Sequence, residues 1–79
     1  MSGPIFLSEL KPGQSAVVKR LLSDGTIRRR LLDIGLVEGT QVECVGRSPG
    51  GDPSAYLIRG AVIAIRSEDG THIMIHELG

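Results

Sequence analysis

Turn-forming residues recur along the whole chain and limit how long any helix or strand can be. The sequence has eleven glycines and four prolines among 79 residues, and their clusters with Ser, Asp and Glu are typical of turns. The pieces between them are short and rich in Val and Ile, which is typical of a small all-β barrel or sandwich. We predict turns at residues 11–14, 23–25, 34–39, 48–53, 59–60 and 68–70.

Alternation of apolar residues places the strands between these turns. Val42 and Cys44 should share one face of their strand, and Ile73 and Ile75 should share one face of the last. The first strand has no cleanly apolar face, as expected of an edge strand. Gly60 interrupts the third apolar stretch, which predicts either two strands or one bent strand there. The predicted strands cover residues 15–22, 40–47, 54–66 and 71–78.

One segment has the period of a helix. Ile27, Leu31 and Ile34 recur at helical spacing and predict an apolar stripe against the barrel. Asp24 or Thr26 can act as the N-cap, and glycine at position 35 fits the residue that ends a helix in a left-handed conformation. Phe6 and Leu7, upstream of the first turn, should cap an open end of the barrel.

The helix also carries three consecutive arginines, Arg28, Arg29 and Arg30. Successive helix positions point about 100° apart, so these side chains fan out and do not form one flat basic face. The formal net charge of the chain is zero, whereas a general nucleic-acid binder carries a strong positive excess. With one Tyr and one Phe, the chain also lacks an aromatic platform for stacked bases. We therefore predict no nucleic-acid partner, although a nucleic-acid-binding barrel stays as a third hypothesis.

Length and composition indicate one small domain over residues 1–79 in a reducing compartment. A single cysteine cannot form a disulfide within the chain. The start lacks the features of a signal peptide. The longest apolar run, residues 61–65, is far shorter than the roughly 20 residues that span a bilayer. We expect a soluble cytoplasmic protein with no direct membrane insertion.

The sequence does not bring together, in one site, the residues that catalysis or metal binding requires. Cys44 with His72 or His76 is the one conceivable nucleophile–base pairing, and a mid-strand Cys is usually a buried, inert thiol. The loop at 48–53 lacks the Lys-Ser/Thr of a phosphate-binding loop. His72 and His76 would stand about 13 Å apart on an extended strand, too far to share an ion. We predict no enzyme activity, no cofactor and no metal site.

After these exclusions, the remaining class of function is recognition of another protein. Loops on rigid scaffolds carry binding residues disproportionately, and exposed strand edges accept added strands. The helix arginines, the loop before the third apolar stretch and the outward side of the last strand are the predicted contacts. Those residues are Arg28, Arg29, Arg30, Gly51, Asp52, Pro53, His72 and Met74.

The order of the segments resembles the FeoA family. The stretches are "LSELKPGQSAVVKRL", "IRRRLLDIGLVEGTQVECV", "SPGGDPSAYLIRGAVIAIR" and a final "IMI", from Leu7 to about Ile75. The same pattern occurs in the C-terminal domain of iron-dependent repressors related to the diphtheria toxin repressor. The resemblance implies an SH3-like barrel of about five strands, with the short helix inserted after the first strand.

The resemblance also implies a small accessory protein of bacterial ferrous iron uptake, without catalytic or metal residues. Its expected partner is the cytoplasmic part of FeoB, a membrane transporter with a GTP-binding domain, which would hold it at the inner membrane. An alternative is a metal-binding carrier or sensor that uses His72, His76, Glu77 or Cys44. Open strand edges also allow a homodimer.

Overall fold

The computed structural model describes residues 3–78, and its elements follow the predicted order. A 3₁₀ turn lies upstream of the first strand, one helix (α1) follows that strand, and a single helical turn (α2) precedes the last strand. In chain order, the elements are the 3₁₀ turn Leu7–Glu9, β1 Ser15–Leu21, α1 Gly25–Asp33, β2 Gln41–Arg47, β3 Ser54–Ile58, β4 Ala61–Ile65, α2 Ser67–Gly70 and β5 Ile73–Leu78.

The five strands form one antiparallel sheet in the order β4-β3-β2-β1-β5. This confirms the prediction of about five strands with a helix after the first. The chain upstream of the 3₁₀ turn continues the sheet beyond β5, since the Ile75 N–H donates to the Ile5 carbonyl (2.8 Å) and Phe6 forms a bridge with Met74. One outer edge of the sheet is therefore covered by the chain itself.

Of the two possibilities for residues 54–66, the structure has two separate strands. Arg59 (φ 52°) and Gly60 (φ 87°) form the two-residue turn between them. Two successive positive φ values are typical of a type I′ turn, whose twist matches that of the flanking strands. The pairing runs from Ile58 opposite Ala61 to Ser54 opposite Ile65.

The prediction that the first strand is an edge strand is wrong, because β1 lies between β2 and β5. A β-bulge explains why this strand has no cleanly apolar face. Ala16 and Val18 are buried, but the register against β5 shifts between Val18 and Arg20. The extra residue moves the following side chains to the opposite face. Leu21 therefore packs against the core, and Leu22, expected on the same face as Val18, is 48% exposed.

The core is aliphatic apart from one tyrosine. Its members come from every strand, from α1 and from the connections at both ends of the barrel, and Tyr56 is the largest. The Tyr56 hydroxyl donates to the Leu7 carbonyl at 3.1 Å, which gives the buried phenol a partner. The buried apolar residues are Leu7, Leu10, Ala16, Val18, Leu31, Leu36, Val42, Cys44, Tyr56, Ile58, Ile65, Ile73 and Ile75.

The helix packs through its second turn. Leu31 is 2% exposed and Ile34 packs against the core, but Ile27 is 37% exposed. The predicted three-residue stripe is wrong at Ile27, because it lies in the first turn, where the helix emerges from the loop after β1. The end of the helix is as expected, since Gly35 follows it with φ of 101°. A Cβ at position 35 would also approach the Arg59 side chain to 2.8 Å.

Replacing Tyr56 with Phe should lower stability without changing the fold. The substitution removes the bond to Leu7 and leaves a buried carbonyl without that donor, which costs about 1 kcal/mol. For a domain of this size, that loss corresponds to a melting temperature lower by about 4–8 °C. Thermal unfolding monitored by circular dichroism measures it, and an unchanged melting temperature would contradict the hydrogen bond's contribution.

Glu9 should make the stability of the upstream segment dependent on pH. Its carboxylate accepts the N–H groups of Ile5 (2.8 Å) and Phe6 (2.9 Å), and these bonds lower the pKa of Glu9. Because the folded-state pKa is depressed, the contribution is present above the unfolded pKa and is lost as the pH falls through the folded pKa. Glu9→Gln should thus lower the melting temperature at pH 7, and the difference from wild type should vanish in acid. A Glu38→Gln variant is the charge-matched control.

Candidate functional site

The single turn of α2 contacts two of the predicted contact residues, Arg30 and Asp52. Arg30 on α1 forms an ion pair with Asp69, with Nη2 3.4 Å from either carboxylate oxygen. Asp52 of the β2–β3 loop accepts the Ser67 N–H at 2.8 Å and lies 3.3 Å from the Ser67 hydroxyl. Residues separated by up to 39 positions in the sequence thus meet on one turn.

The three arginines have different surroundings. Arg30 is engaged by Asp69, across an exposed contact that contributes little energy but fixes where the guanidinium lies. Arg28 and Arg29 are exposed and border a hollow along the outer side of α1. All three predicted arginines are therefore exposed, and Arg30 alone among them has a carboxylate partner within the described residues.

The loop at 48–53 is organised by its own hydrogen bonds. The Ser48 N–H donates to the Pro53 carbonyl (3.0 Å), and the Gly51 N–H donates to the Ser48 carbonyl (2.7 Å). The peptide bond between Asp52 and Pro53 is cis. Together with the bonds from Asp52 to Ser67, these contacts give the loop a defined shape, with Gly51 and Asp52 exposed.

The predicted contacts on the last strand are less accessible than expected. Met74 is half-buried and lies beside Phe6, so it is not the isolated apolar residue on an open strand that the sequence suggested. His72 precedes β5, and its carbonyl accepts the Leu22 N–H at 2.7 Å. The covering segment explains the partial burial of Met74, since it pairs with the outer edge of β5 at that residue, and side-chain alternation does not predict such pairing.

A groove beside α1 contains residues that the sequence analysis did not single out. Arg20 at the end of β1 and Arg28 on α1 border it, and the intervening surface is partly apolar. Arg28 and Leu32 lie one helical turn apart and separate this groove from the hollow along the outer side of the helix. Helical spacing could have paired these two residues, but the approach of β1 to α1 depends on tertiary structure. The lining residues are Arg20, Leu21, Arg28, Leu32, Val37 and Glu38.

The side chains that catalysis or metal binding would need do not lie close together. Cys44 is fully buried, and its Sγ lies 3.8 Å from the Gly46 carbonyl, as expected of a structural thiol. Within residues 3–78, no three His, Cys, Asp or Glu side chains are placed to hold a metal ion. Over the same residues, no helix combines the length and the apolar character needed to cross a bilayer.

Comparison with known proteins agrees with this geometry. The model of the FeoA domain family matches residues 5–77. A Porphyromonas gingivalis protein, the Fe(2+) transport protein A/Fe(2+) transporter FeoB fusion protein, is 36% identical over 69 residues. The match covers 87% of this chain but 8% of the fusion protein.

Solved structures show the same fold. FeoA from Chlorobium tepidum has a TM-score of 0.87 and 35% identity, and the match covers 95% of this chain and 71% of that one. Zinc-complexed FeoA from Stenotrophomonas maltophilia, described as an SH3 domain protein, has a TM-score of 0.80 and 30% identity, with 91% and 89% covered. A manganese-dependent transcriptional repressor has a TM-score of 0.83 at 19% identity, over 99% of this chain and 43% of its own, and shares the fold alone.

The family assignment confirms the resemblance seen in the sequence, including the likeness to a repressor domain, and it confirms the SH3-like fold. It also agrees with the prediction that the chain is not an enzyme, because the family is one of non-catalytic accessory proteins. A match over nearly the whole chain, on a five-stranded barrel with its helix after β1, shows that the chain belongs to the FeoA domain family.

Proposed function

We propose that this protein is an accessory factor of ferrous iron transport that binds the cytoplasmic part of a FeoB-type transporter. The observation that carries the proposal is the fusion of a related domain to FeoB in P. gingivalis. A domain joined covalently to a transporter acts at high effective concentration on it. A separate domain must supply the same proximity through a binding surface. The related S. maltophilia protein has itself been put forward as a ferrous iron transport activating factor.

The docking surface that fits this role is the exposed side of α1 with its groove. Arg20 and Arg28 flank an area that includes Val37, which is 38% exposed. Arg20, Arg28 and Glu38 together give the border of this apolar centre a net positive charge. Such a border suits a partner segment that has mainly acidic residues around an apolar anchor. We call this surface, defined by Arg20, Arg28, Arg29, Leu32 and Val37, the α1 surface.

Two of the other predicted contacts, Arg30 and Asp52, connect neighbouring segments to α2. Arg30 ties α1 to α2, and Asp52 ties the β2–β3 loop to the same turn. These contacts favour one arrangement of the helix and the loop, and such preorganisation lowers the entropy lost when a partner binds. We assign Arg30 and Asp52 a positioning role, and we place direct contact at Arg28 and Arg29.

Reversing one exposed charge on α1 should weaken transporter binding. Arg28→Glu turns an attraction for acidic residues into a repulsion, and we expect an affinity at least about tenfold lower, chiefly through slower association. Lys11→Glu makes the same charge change at an exposed turn residue away from the helix and should leave the affinity unchanged. Binding to the purified cytoplasmic domain and to the full transporter is measured by surface plasmon resonance. Absence of association with both, at physiological salt, would refute the proposal.

The metal-carrier alternative is tested separately. FeoA from S. maltophilia was crystallised with zinc, so titration of this protein with Zn²⁺ and Fe²⁺ is the relevant measurement. We expect no binding tighter than micromolar, because the histidines and Cys44 do not converge. Tight binding by a monomer that is lost in His72→Ala would favour the carrier over the docking factor.

A further inference from the structure

The sheet has one edge that the described chain leaves unpaired. Residues 5 and 6 cover the edge at β5, but no strand within residues 3–78 pairs with the far side of β4. An unpaired edge presents a row of N–H and C=O groups that can pair with another chain. β4 is therefore a surface at which the sheet can be extended.

Within its five residues, β4 has no charged residue, no proline and no bulge. Natural edges carry charges, prolines or bulges that prevent pairing. Ala61–Ile65 is uniformly apolar and pairs with β3 without a register shift. It contains Val62, which at 65% is the most exposed large hydrophobic residue among residues 3–78. None of these five positions carries a charge, so no charged side chain within the strand opposes its pairing with another chain.

The β3–β4 turn determines which backbone groups point outward. A two-residue turn closes on a hydrogen-bonded pair, here Ile58 and Ala61, and such pairs alternate along an antiparallel ladder. Ala61, Ile63 and Ile65 therefore direct their N–H and C=O groups to β3. Val62 and Ala64 direct theirs to the open side.

We propose that β4 pairs antiparallel with β4 of a second copy of this chain, around a two-fold axis at Ile63. In this register Val62 lies opposite Ala64 of the second copy, and the two residues exchange both of their hydrogen bonds. The symmetry repeats that pair, so the interface has four backbone hydrogen bonds. The product is one continuous sheet that includes both molecules.

The strand is complementary to itself in this register. Ala61 faces Ile65 and Val62 faces Ala64, so a small side chain lies opposite a larger one in each pair away from the axis. Antiparallel self-pairing is isologous, and a strand can satisfy it when its two halves match in this way. Moving the register by two residues in either direction would bring Gly60 or Arg66 into the ladder and shorten the apolar contact.

Charged residues at the two ends of the strand limit the affinity. The register places Arg66 opposite Gly60 of the second copy, beside that copy's Arg59. Both arginines are exposed, so their mutual repulsion is screened by salt. We expect a weak dimer that forms at high protein concentration and becomes tighter as salt is added, on a strand separate from the α1 surface.

Sedimentation equilibrium over a range of concentrations tests the dimer. The wild-type mass should rise from 8.4 kDa towards twice that value. Val62→Lys with Ala64→Lys places two lysines directly opposite each other on both sides of the axis and should weaken association at least about tenfold. Val62→Lys with Ala64→Glu places opposite charges in those positions and should restore dimerisation, because the register pairs residue 62 with residue 64.

A matched control distinguishes the edge from the sheet face. Val45 on β2 (44% exposed) and Leu78 on β5 (40% exposed) are apolar, exposed and at least two strands away from β4, so Val45→Lys with Leu78→Lys should leave the dimer intact. Circular dichroism establishes that each variant is folded. A wild type that stays monomeric at millimolar concentration, a dimer unaffected by the two edge lysines, or a Lys–Glu variant as monomeric as the double lysine would overturn the proposal.

Amide exchange reports on the backbone directly. As the concentration of wild-type protein rises, exchange of the Val62 and Ala64 amides should slow, because those groups become hydrogen-bonded across the interface. The Ile63 amide, directed to β3, should change little. An equal change at all three amides, or none in a protein shown to dimerise, would place the contact elsewhere.

Discussion

Closure of the aliphatic core by leucines outside the strands is the constraint on which the rest of the structure depends. Five short strands form a curved sheet, but they leave its interior open at the ends. Leu7, Leu10, Leu31 and Leu36 fill those positions, and none is more than 2% exposed. A domain of this size buries a modest share of its surface, so it cannot leave such positions to water.

Closure of the core determines where the exposed side of α1 and the open edge of the sheet lie. Because Leu31 must enter the core, α1 lies against the barrel with Arg28 and Arg29 outside and its groove against β1. Because Leu7 must do the same, the segment before it runs along β5 and covers one edge of the sheet. The edge at β4 has no such neighbour among the described residues. The surfaces that stay accessible are therefore those that the core-filling segments do not cover.

Local pattern was sufficient for most of the fold. Alternation correctly paired Val42 with Cys44 and Ile73 with Ile75, and the end of α1 at Gly35 followed from glycine's tolerance of positive φ. The β1 bulge could not be read in this way, because an extra residue changes the face without changing the composition. For the candidate site, the sequence indicated the arginines and the loop but not their relation, since the ion pair between Arg30 and Asp69 joins residues far apart in the chain. The groove beside α1 was missed for the same reason.

The short turn of α2 has a consequence for how this protein tolerates change. Ser67 and Asp69 anchor two different segments, the β2–β3 loop and α1, within three residues of chain. Substitutions at positions 30 and 52 act on the same short turn, so their effects on stability should not simply add. A substitution that alters one of these two contacts changes the structural context in which the other contact evolves. The order in which substitutions arise would then decide which replacements at positions 30 and 52 a descendant protein tolerates.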